Sequence, residues 1–468
     1  MNLSKKNFRT SIIFKSGIAS LDQAIISALS FIISIILIKT VSKLEYGYYS
    51  IAFSISLFLI SVQNAVINTP LAVLLITKKG SDKKKYAASL CYGQFIVILP
   101  AVLIGTVTVF LLRYWGLDSK EISVAVAFCM AVIGILFREF LRAYFFAEEN
   151  PLNVLKLDIV YVFCLLGFIA IAYIAFGISV AAIFALMGLS GLLASLLFSR
   201  KQGWRSDLKT IRESFSENWK FGKWALFGVL VTHIQNYSYI YLLGALLGSN
   251  AVAEVSAARL LLMPLALVQA GWCKIAVPHG SKLREQSQTH RFFKEQILVS
   301  TVFVVGIAIY VGFLSTFSNV LQKFLFTENY AYAINYSLIW GAIFAIQFLA
   351  LNASFGLQVM KNFHTISKVN LLTMLVTVGC SYFFIRSHGV DGGLIALIIG
   401  GTLLAVSLWL FFAKMVFYRF EREPVASIKE RLMFKLSKSV AAPLIKDCSD
   451  SIDSKLDYKQ NNSFKLRR

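Results

Sequence analysis

Acid is scarce in this chain: Asp and Glu number 24 against 46 Lys and Arg, a formal charge of +22. The short connections expected on one side hold Glu121, Glu254, Glu328 and Asp391 in isolation, which excludes the paired carboxylates of a glycosyl-transferring site. Cysteine is sparse too. Cys91, Cys129, Cys164, Cys273, Cys380 and Cys448 are scattered, and no CxxC pair occurs, so zinc ribbons and disulfide frameworks are excluded. Walker, HExxH, GxSxG and DxD-like patterns are absent, so neither an ATPase domain, nor a cofactor, nor a catalytic motif is called for. Long polar stretches are missing from almost the whole chain.

What is present is apolar length. The chain of 468 residues is 57% hydrophobic with a mean hydropathy of +0.69, far more than a water-soluble core can hide. Runs long enough to cross roughly 30 Å of hydrocarbon recur from Gly17 almost to the C-terminus. The first follows Lys5, Lys6, Arg9 and Lys15, is too long for a signal-peptide core, and reads as a retained helix. The pattern predicts an all-α integral membrane protein with about twelve transmembrane helices.

Charge sets the direction. With both termini inside, 39 of the 46 Lys and Arg fall on inner segments, six on outer ones, and one, Arg259, within a span. That is the positive-inside bias. The basic charge therefore orients the chain, and nucleic acid is not expected as a partner. The expected organisation is a cytoplasmic N-terminus (1–16), a first six-helix lobe (17–200), a cytoplasmic connection (201–222), a second lobe (223–419) and a basic tail (420–468). In the tail, Ile428, Leu432 and Leu436 recur at the spacing of a short interfacial helix, and 447–468 reads as disordered. "ENWKFGKWALFGVL" (217–230) joins the connection to the second lobe, where Trp and Lys suit the headgroup depth of an interfacial anchor.

The two lobes echo each other. "IKTVSKLEYGYYSIA" (38–52) lies over "GALLGSNAVAEVSAA" (244–258), placing Ser50 over Ser256, and "KLDIVYVF" (156–163) lies over "KVNLLTML" (368–375). Pro70, Pro100 and Pro264 lie inside spans and mark points of kinking or simply the higher tolerance of membrane helices for proline.

Polar groups within spans are the candidate site. Arg259 lies about 12 Å deep at 1.5 Å per residue and reads either as a cavity cation or as a structural partner of a carboxylate or helix-end carbonyls. Arg138 and Arg142 share a helix face, suited to phosphate oxygens or to an ion-pair cluster with Glu139. Asp22 reads as the only acid well within the first lobe, a coupling carboxylate or a satisfied interfacial acid. His233, Gln235, Asn236, Tyr237 and Tyr239 make the expected seventh span (223–248) polar and suit sugar hydroxyls or helix-helix contacts, as do Gln63, Asn64 and Asn68 on the expected second span (48–77). Lys274 reads as a ligand contact or a snorkelling side chain.

"EYGYYSIAFSIS" (45–56), "FREFLRAYFFAEENPLNVLKLD" (137–158), "NWKFGKWALFGVL" (218–230) and "AARLLLMP" (257–264) resemble the polysaccharide-export branch of the multidrug/oligosaccharidyl-lipid/polysaccharide exporter superfamily. That branch includes Wzx-type O-antigen and exopolysaccharide repeat-unit flippases. The resemblance implies two pseudo-symmetric lobes around a central cavity and alternating access. Its implied cargo is a polyprenyl-pyrophosphate-linked oligosaccharide, moved across the bacterial inner membrane. A polysaccharide polymerase or other assembly proteins are its implied partners. One departure is visible: Ala253-Glu254-Val255 stands where such proteins tend to carry Gly-Leu-Tyr. The implied alternatives are an ion-coupled multidrug antiporter of the same superfamily and a non-transporting scaffold.

Overall fold

The computed structural model describes residues 14–114, 116 and 118–417. The basic N-terminus with Lys5, Lys6 and Arg9, the tail helix expected at Ile428, Leu432 and Leu436, and the segment 447–468 lie outside the described residues. Among the described residues every regular element is a helix. In chain order they are α1 (Phe14–Thr40), α2 (Lys43–Thr77), α3 (Gly80–Leu112), α4 (Ser119–Ala147), α5 (Pro151–Ala175) and α6 (Val180–Gln202). The second half continues with α7 (Leu208–Leu247), α8 (Ser249–Leu260), α9 (Met263–Glu285), α10 (Thr289–Thr316), α11 (Ser318–Leu325), α12 (Ala333–Val359) and α13 (Phe363–Phe417).

Local chemistry starts these helices where they start. Ser42 and Glu45 form a capping box at α2, Asp118 and Glu121 another at α4, and Asn150 caps α5 with Pro151 in its first turn. Nine helices among the described residues are long and apolar enough to cross a membrane, and the pair α8 and α9, bent by 63°, makes ten. Two further helical segments fall outside that test. At 40 residues α7 is long enough to span, but its first half is charged and His233, Gln235, Asn236 and Ser238 interrupt its apolar second half. The last helix turns back on itself at Gly389, whose φ of 61° ends the helical path. Its two arms then run antiparallel, with Gly392 against the backbone of Phe384 and Gly400 against Thr377.

The break between α8 and α9 has a cause. Pro264 lacks an N–H and sits in the first turn of α9, so the backbone cannot carry its ladder through. The carbonyl of Leu261 left at the break accepts a 2.7 Å hydrogen bond from the Tyr310 hydroxyl on α10.

Taking the face where α1 starts as the near face and the opposite one as the far face, the halves meet at both. At the far face Lys43 pairs with Glu254 at 2.8 Å, and the other Glu254 oxygen accepts from the Tyr332 amide at 3.1 Å. Gly47 there allows α2 to touch the backbone of Ser249, since a Cβ would lie 2.0 Å from that carbonyl oxygen. At the near face α7 begins earlier than its hydropathy suggests. Residues 208–222, expected as a connection, are its first turns, and they dock on the first half. Ser89 donates to Ser214 at 2.7 Å, Lys78 pairs with Glu217 at 3.1 Å, and the Tyr86 hydroxyl meets Asn218. A π-helical turn at Asn64–Asn68 puts α2 carbonyls out of register, and Asn218 donates to those of Val66 and Ile67 at 3.4 and 3.3 Å. Trp219, Phe221 and Trp224 remain exposed, as an interfacial anchor requires.

Candidate functional site

A cavity of about 450 Å³ lies between the halves, walled by α1, α2 and α4 on one side and by α7, α8, α9 and α12 on the other. Arg138, Arg142, Arg259 and Tyr239 all line it. The two walls hold their arginines in different ways.

On the first wall, α4 presents Arg138, Glu139 and Arg142 within two turns. Arg142 meets Asp22 of α1 at 2.9 Å, Glu139 at 2.9 Å and Asp158 of α5 at 2.7 Å. Arg138 meets Glu139 at 2.8 Å, lies 3.7 Å from Asp158, and covers the Tyr161 ring at 3.9 Å. Two guanidiniums thus face three carboxylates, and the cluster has no surplus positive charge. Asp22 and Asp158 are sealed behind it at 1% and 0% exposure. Such an arrangement is held by mutual need, because removing either sign strands a buried charge of the other.

The second wall carries Arg259 on the last turn of α8. Its guanidinium lies 5.5 Å from the Tyr237 ring centroid and 5.2 Å from that of Trp340. Trp340 is fixed by a 3.1 Å bond from its indole N–H to the Val255 carbonyl and by edge contact with Tyr239. Among the described residues Arg259 makes no ion pair. Aromatic faces offset roughly 0.5–2 kcal/mol of its desolvation without cancelling its charge. An anion entering the cavity meets it unneutralised.

Serine hydroxyls are set into a remaining surface that is mainly apolar. Ser27, Ser30 and Ser34 line the cavity from one face of α1, and Ser50, Ser54 and Ser56 from α2. Ser30, Ser34 and Ser50 donate to carbonyls one turn back at about 3 Å, leaving oxygen lone pairs free to accept.

Several expectations are corrected by this geometry. Asp22 is not the only deep acid of the first half: Asp158, within "KLDIVYVF", is buried more completely and bridges both arginines. Asp22 itself lies behind Arg142, away from the cavity lining. Gln235 and Asn236 also fall outside the lining. Gln235 donates to Thr373 of α13 at 3.0 Å, and Asn236 donates to the Thr232 carbonyl of its own helix at 2.9 Å. Gln63 likewise joins helices, donating to Gln94 and to the Leu136 carbonyl, both at 2.8 Å. Lys274 is exposed on α9, outside the lining. The serine rows were readable as Ser27, Ser30 and Ser34 at helical spacing, a polar stripe in an apolar run. Glu254, the departure from the family pattern, closes the far face instead of lining the cavity.

Comparison with known proteins agrees with this architecture. A multidrug resistance MATE family transporter of the MOP superfamily in an inward-facing conformation superposes with a TM-score of 0.65 at 14% identity, covering 83% of this chain and 94% of that one. The lipid II flippase MurJ in an inward closed conformation gives 0.70 at 14% identity over 85% and 87%. A MOP superfamily transporter from Pyrococcus furiosus gives 0.62 at 14% identity over 87% and 95%. These likenesses show the fold, an all-helical membrane transporter. No curated protein matches the chain. Residues 14–283 match the family described as polysaccharide biosynthesis protein, a stretch that holds all three cavity arginines together with Asp22 and Asp158. The chain therefore belongs to the polysaccharide biosynthesis protein family, within the MOP superfamily of membrane transporters and flippases.

Proposed function

We propose that the protein is a flippase for polyprenyl-pyrophosphate-linked oligosaccharide repeat units. It would carry them from the cytoplasmic to the outer leaflet of the bacterial inner membrane, with the near face and both termini in the cytoplasm, for O-antigen, capsule or exopolysaccharide assembly. The observation that carries this reading is Arg259, a cavity cation with no carboxylate partner among the described residues, opposite a mainly apolar wall set with serine hydroxyls. Pyrophosphate is the anion such a site suits, and sugar hydroxyls are the donors its serine oxygens suit. Glu139 faces the cavity between Arg138 and Arg142, so a phosphate reaching that wall exchanges with Glu139 while Asp158 keeps both guanidiniums in place. Alternating access would then open the far-face contacts Lys43–Glu254 and close the α1–α9 side. A polymerase or another assembly protein would receive the unit outside.

A second reading, export of small cations in exchange for an ion, draws on the three carboxylates of the first wall. It is disfavoured because each of the three is already paired with Arg138 or Arg142, which leaves one formal negative charge and no unpaired acid. The decisive experiment is inactivation of the protein in its host. The flippase reading expects lipid-linked repeat units to accumulate on the cytoplasmic leaflet and surface polymer to disappear, with Arg259→Ala at normal membrane abundance reproducing the defect. Unchanged surface polymer would overturn it.

A further inference from the structure

One turn along α7 from Tyr237, His233 is buried at the seam between the two halves. Its imidazole meets two rings, Phe58 of α2 at 4.7 Å and Tyr237 at 4.6 Å, the latter nearly parallel at 17°. Tyr237 is also the ring that lies 5.5 Å from the Arg259 guanidinium. Two basic side chains that touch one ring stand no more than about 10 Å apart, close enough for their charges to act on one ligand.

The hydrogen bonds of His233 show which of its nitrogens is open. Nε2 lies 3.0 Å from the Tyr241 hydroxyl, that hydroxyl lies 3.1 Å from Ser54, and Ser54 also donates to the Ile51 carbonyl at 2.7 Å. Ser54 has one hydrogen to give. All three contacts therefore form together when Nε2 carries a hydrogen and the chain of donors runs from His233 through Tyr241 and Ser54 to Ile51. Nδ1 is then the nitrogen that takes a further proton, and it has no hydrogen-bond partner among the described residues. The groups around it are few. α2 faces the ring with Phe58 and Ser54, α7 with Tyr237 and Tyr241, and α8 reaches it with Arg259 across Tyr237. α13 packs on the opposite side of α7, where Gln235 meets the uncharged Thr373. Among the described residues no carboxylate pairs with His233.

The cargo proposed above is a pyrophosphate diester, which carries two negative charges at neutral pH. The second wall meets them with one fixed positive charge, Arg259, while the arginines of the first wall are already paired. His233 is the neighbour of Arg259 that can supply the missing charge. We infer that a pyrophosphate settling at Arg259 draws a proton from solvent onto Nδ1 of His233, and that the imidazolium so formed helps to hold the anion. The inference rests on the flippase reading and adds a proton-linked second charge to its headgroup site. Phe58 and Tyr237 hold an imidazolium by the same attraction that Tyr237 and Trp340 offer Arg259. The linkage is reciprocal: the proton tightens the anion by the factor by which the anion tightens the proton. Because Phe58 belongs to the first half and Tyr237 to the second, the charged ring sits across their seam.

The test uses the full chain in lipid nanodiscs and a farnesyl pyrophosphate whose second phosphate is esterified to glucose. This diester keeps both charges from about pH 8.5 to about pH 5.5, the range that imidazole crosses. The parent is expected to bind the probe about tenfold more tightly at the lower pH. His233→Gln keeps a donor for Tyr241 and does not titrate, so it should bind at both pH values as the parent does at the higher one. Calorimetry near neutral pH, in buffers of different ionisation enthalpy, should show a fraction of a proton taken up with the probe by the parent and none by His233→Gln. Thermal unfolding checks that the variant folds, and His233→Phe, which keeps the ring stack, carries the same expectation should the glutamine fail. A pH dependence that survives in both variants would assign the proton to the carboxylates of the first wall and overturn the inference, as would binding by the parent without proton uptake; either result leaves the flippase reading standing. No binding at either pH, with surface polymer that survives loss of the protein, would overturn both. Proton uptake that depends on His233 in a protein whose loss leaves the polymer intact would sustain the linkage and defeat the flippase reading.

Discussion

The two walls of the cavity each present arginine, and they do so under opposite electrostatic conditions. On α4, Arg138 and Arg142 are locked to Asp22, Glu139 and Asp158 at distances down to 2.7 Å. On α8, Arg259 rests on the rings of Tyr237 and Trp340 with no carboxylate among the described residues. The same side chain is a structural tie in one place and an available charge in the other. What separates them is the neighbouring helix: α5 brings an acid to the first wall, and α12 brings an indole to the second. The internal repeat sharpens this contrast. Ser50 and Ser256, at matching places in the two halves, both line the cavity, whereas Asp158 is matched in the second half by the uncharged Asn370.

Removing a tie should have the largest effect. Arg142→Ala strands Asp22 and Asp158 and should cost about 3–5 kcal/mol of stability, seen as a large drop in the unfolding temperature of the purified protein. Adding Asp22→Asn should return part of that loss, giving a coupling of at least about 1 kcal/mol in a double-mutant cycle. Additive losses would show that the ion pair does not matter. Arg259→Ala comes next and should separate function from folding: transport of lipid-linked cargo falls at least about tenfold, roughly 1.4 kcal/mol, while the unfolding temperature stays within a few degrees. A fall in stability as large as that of Arg142→Ala would erase the distinction between the walls. Tyr237→Leu, which removes one of two rings, should weaken cargo binding a few-fold, about 0.5–1 kcal/mol, with Tyr237→Phe near the parent. The smallest change is expected from Lys43→Ala at the largely buried far-face pair, where the Tyr332 amide still holds Glu254, no more than about 1 kcal/mol in stability, with a faster opening of that face in a spectroscopic distance measurement.

Much of the scaffold was legible in the chain. The recurring apolar runs and the proline placement are properties of single segments, and the structure follows them in its helices and in the broken span at Pro264, with Arg259 on the cavity wall. The site was legible in part. Arg138 and Arg142 were placed on one face by their spacing of four, yet nothing in their own segment shows that Asp158, 16 residues beyond Arg142 across a helix turn, closes the cluster. The polar residues of α7 show the same limit. They suited sugar hydroxyls and helix-helix contacts alike, and packing divided them: Tyr237 and Tyr239 line the cavity while Gln235 ties α7 to α13, because a buried amide takes whatever partner packing brings.

Hydropathy, charge bias and proline placement act on each segment independently of the rest, since a helix enters or leaves hydrocarbon on its own transfer free energy. The helical character and the breakage of the spans follow from hydropathy and proline placement without knowledge of any neighbour. Whether a guanidinium is neutralised or open to a ligand depends on charges within a few ångströms, and here α1 and α5 bring carboxylates to one wall while α7 and α12 bring only rings to the other. Coulomb attraction and desolvation act on separation in space, so the division between bound and available arginine came into being with the packing.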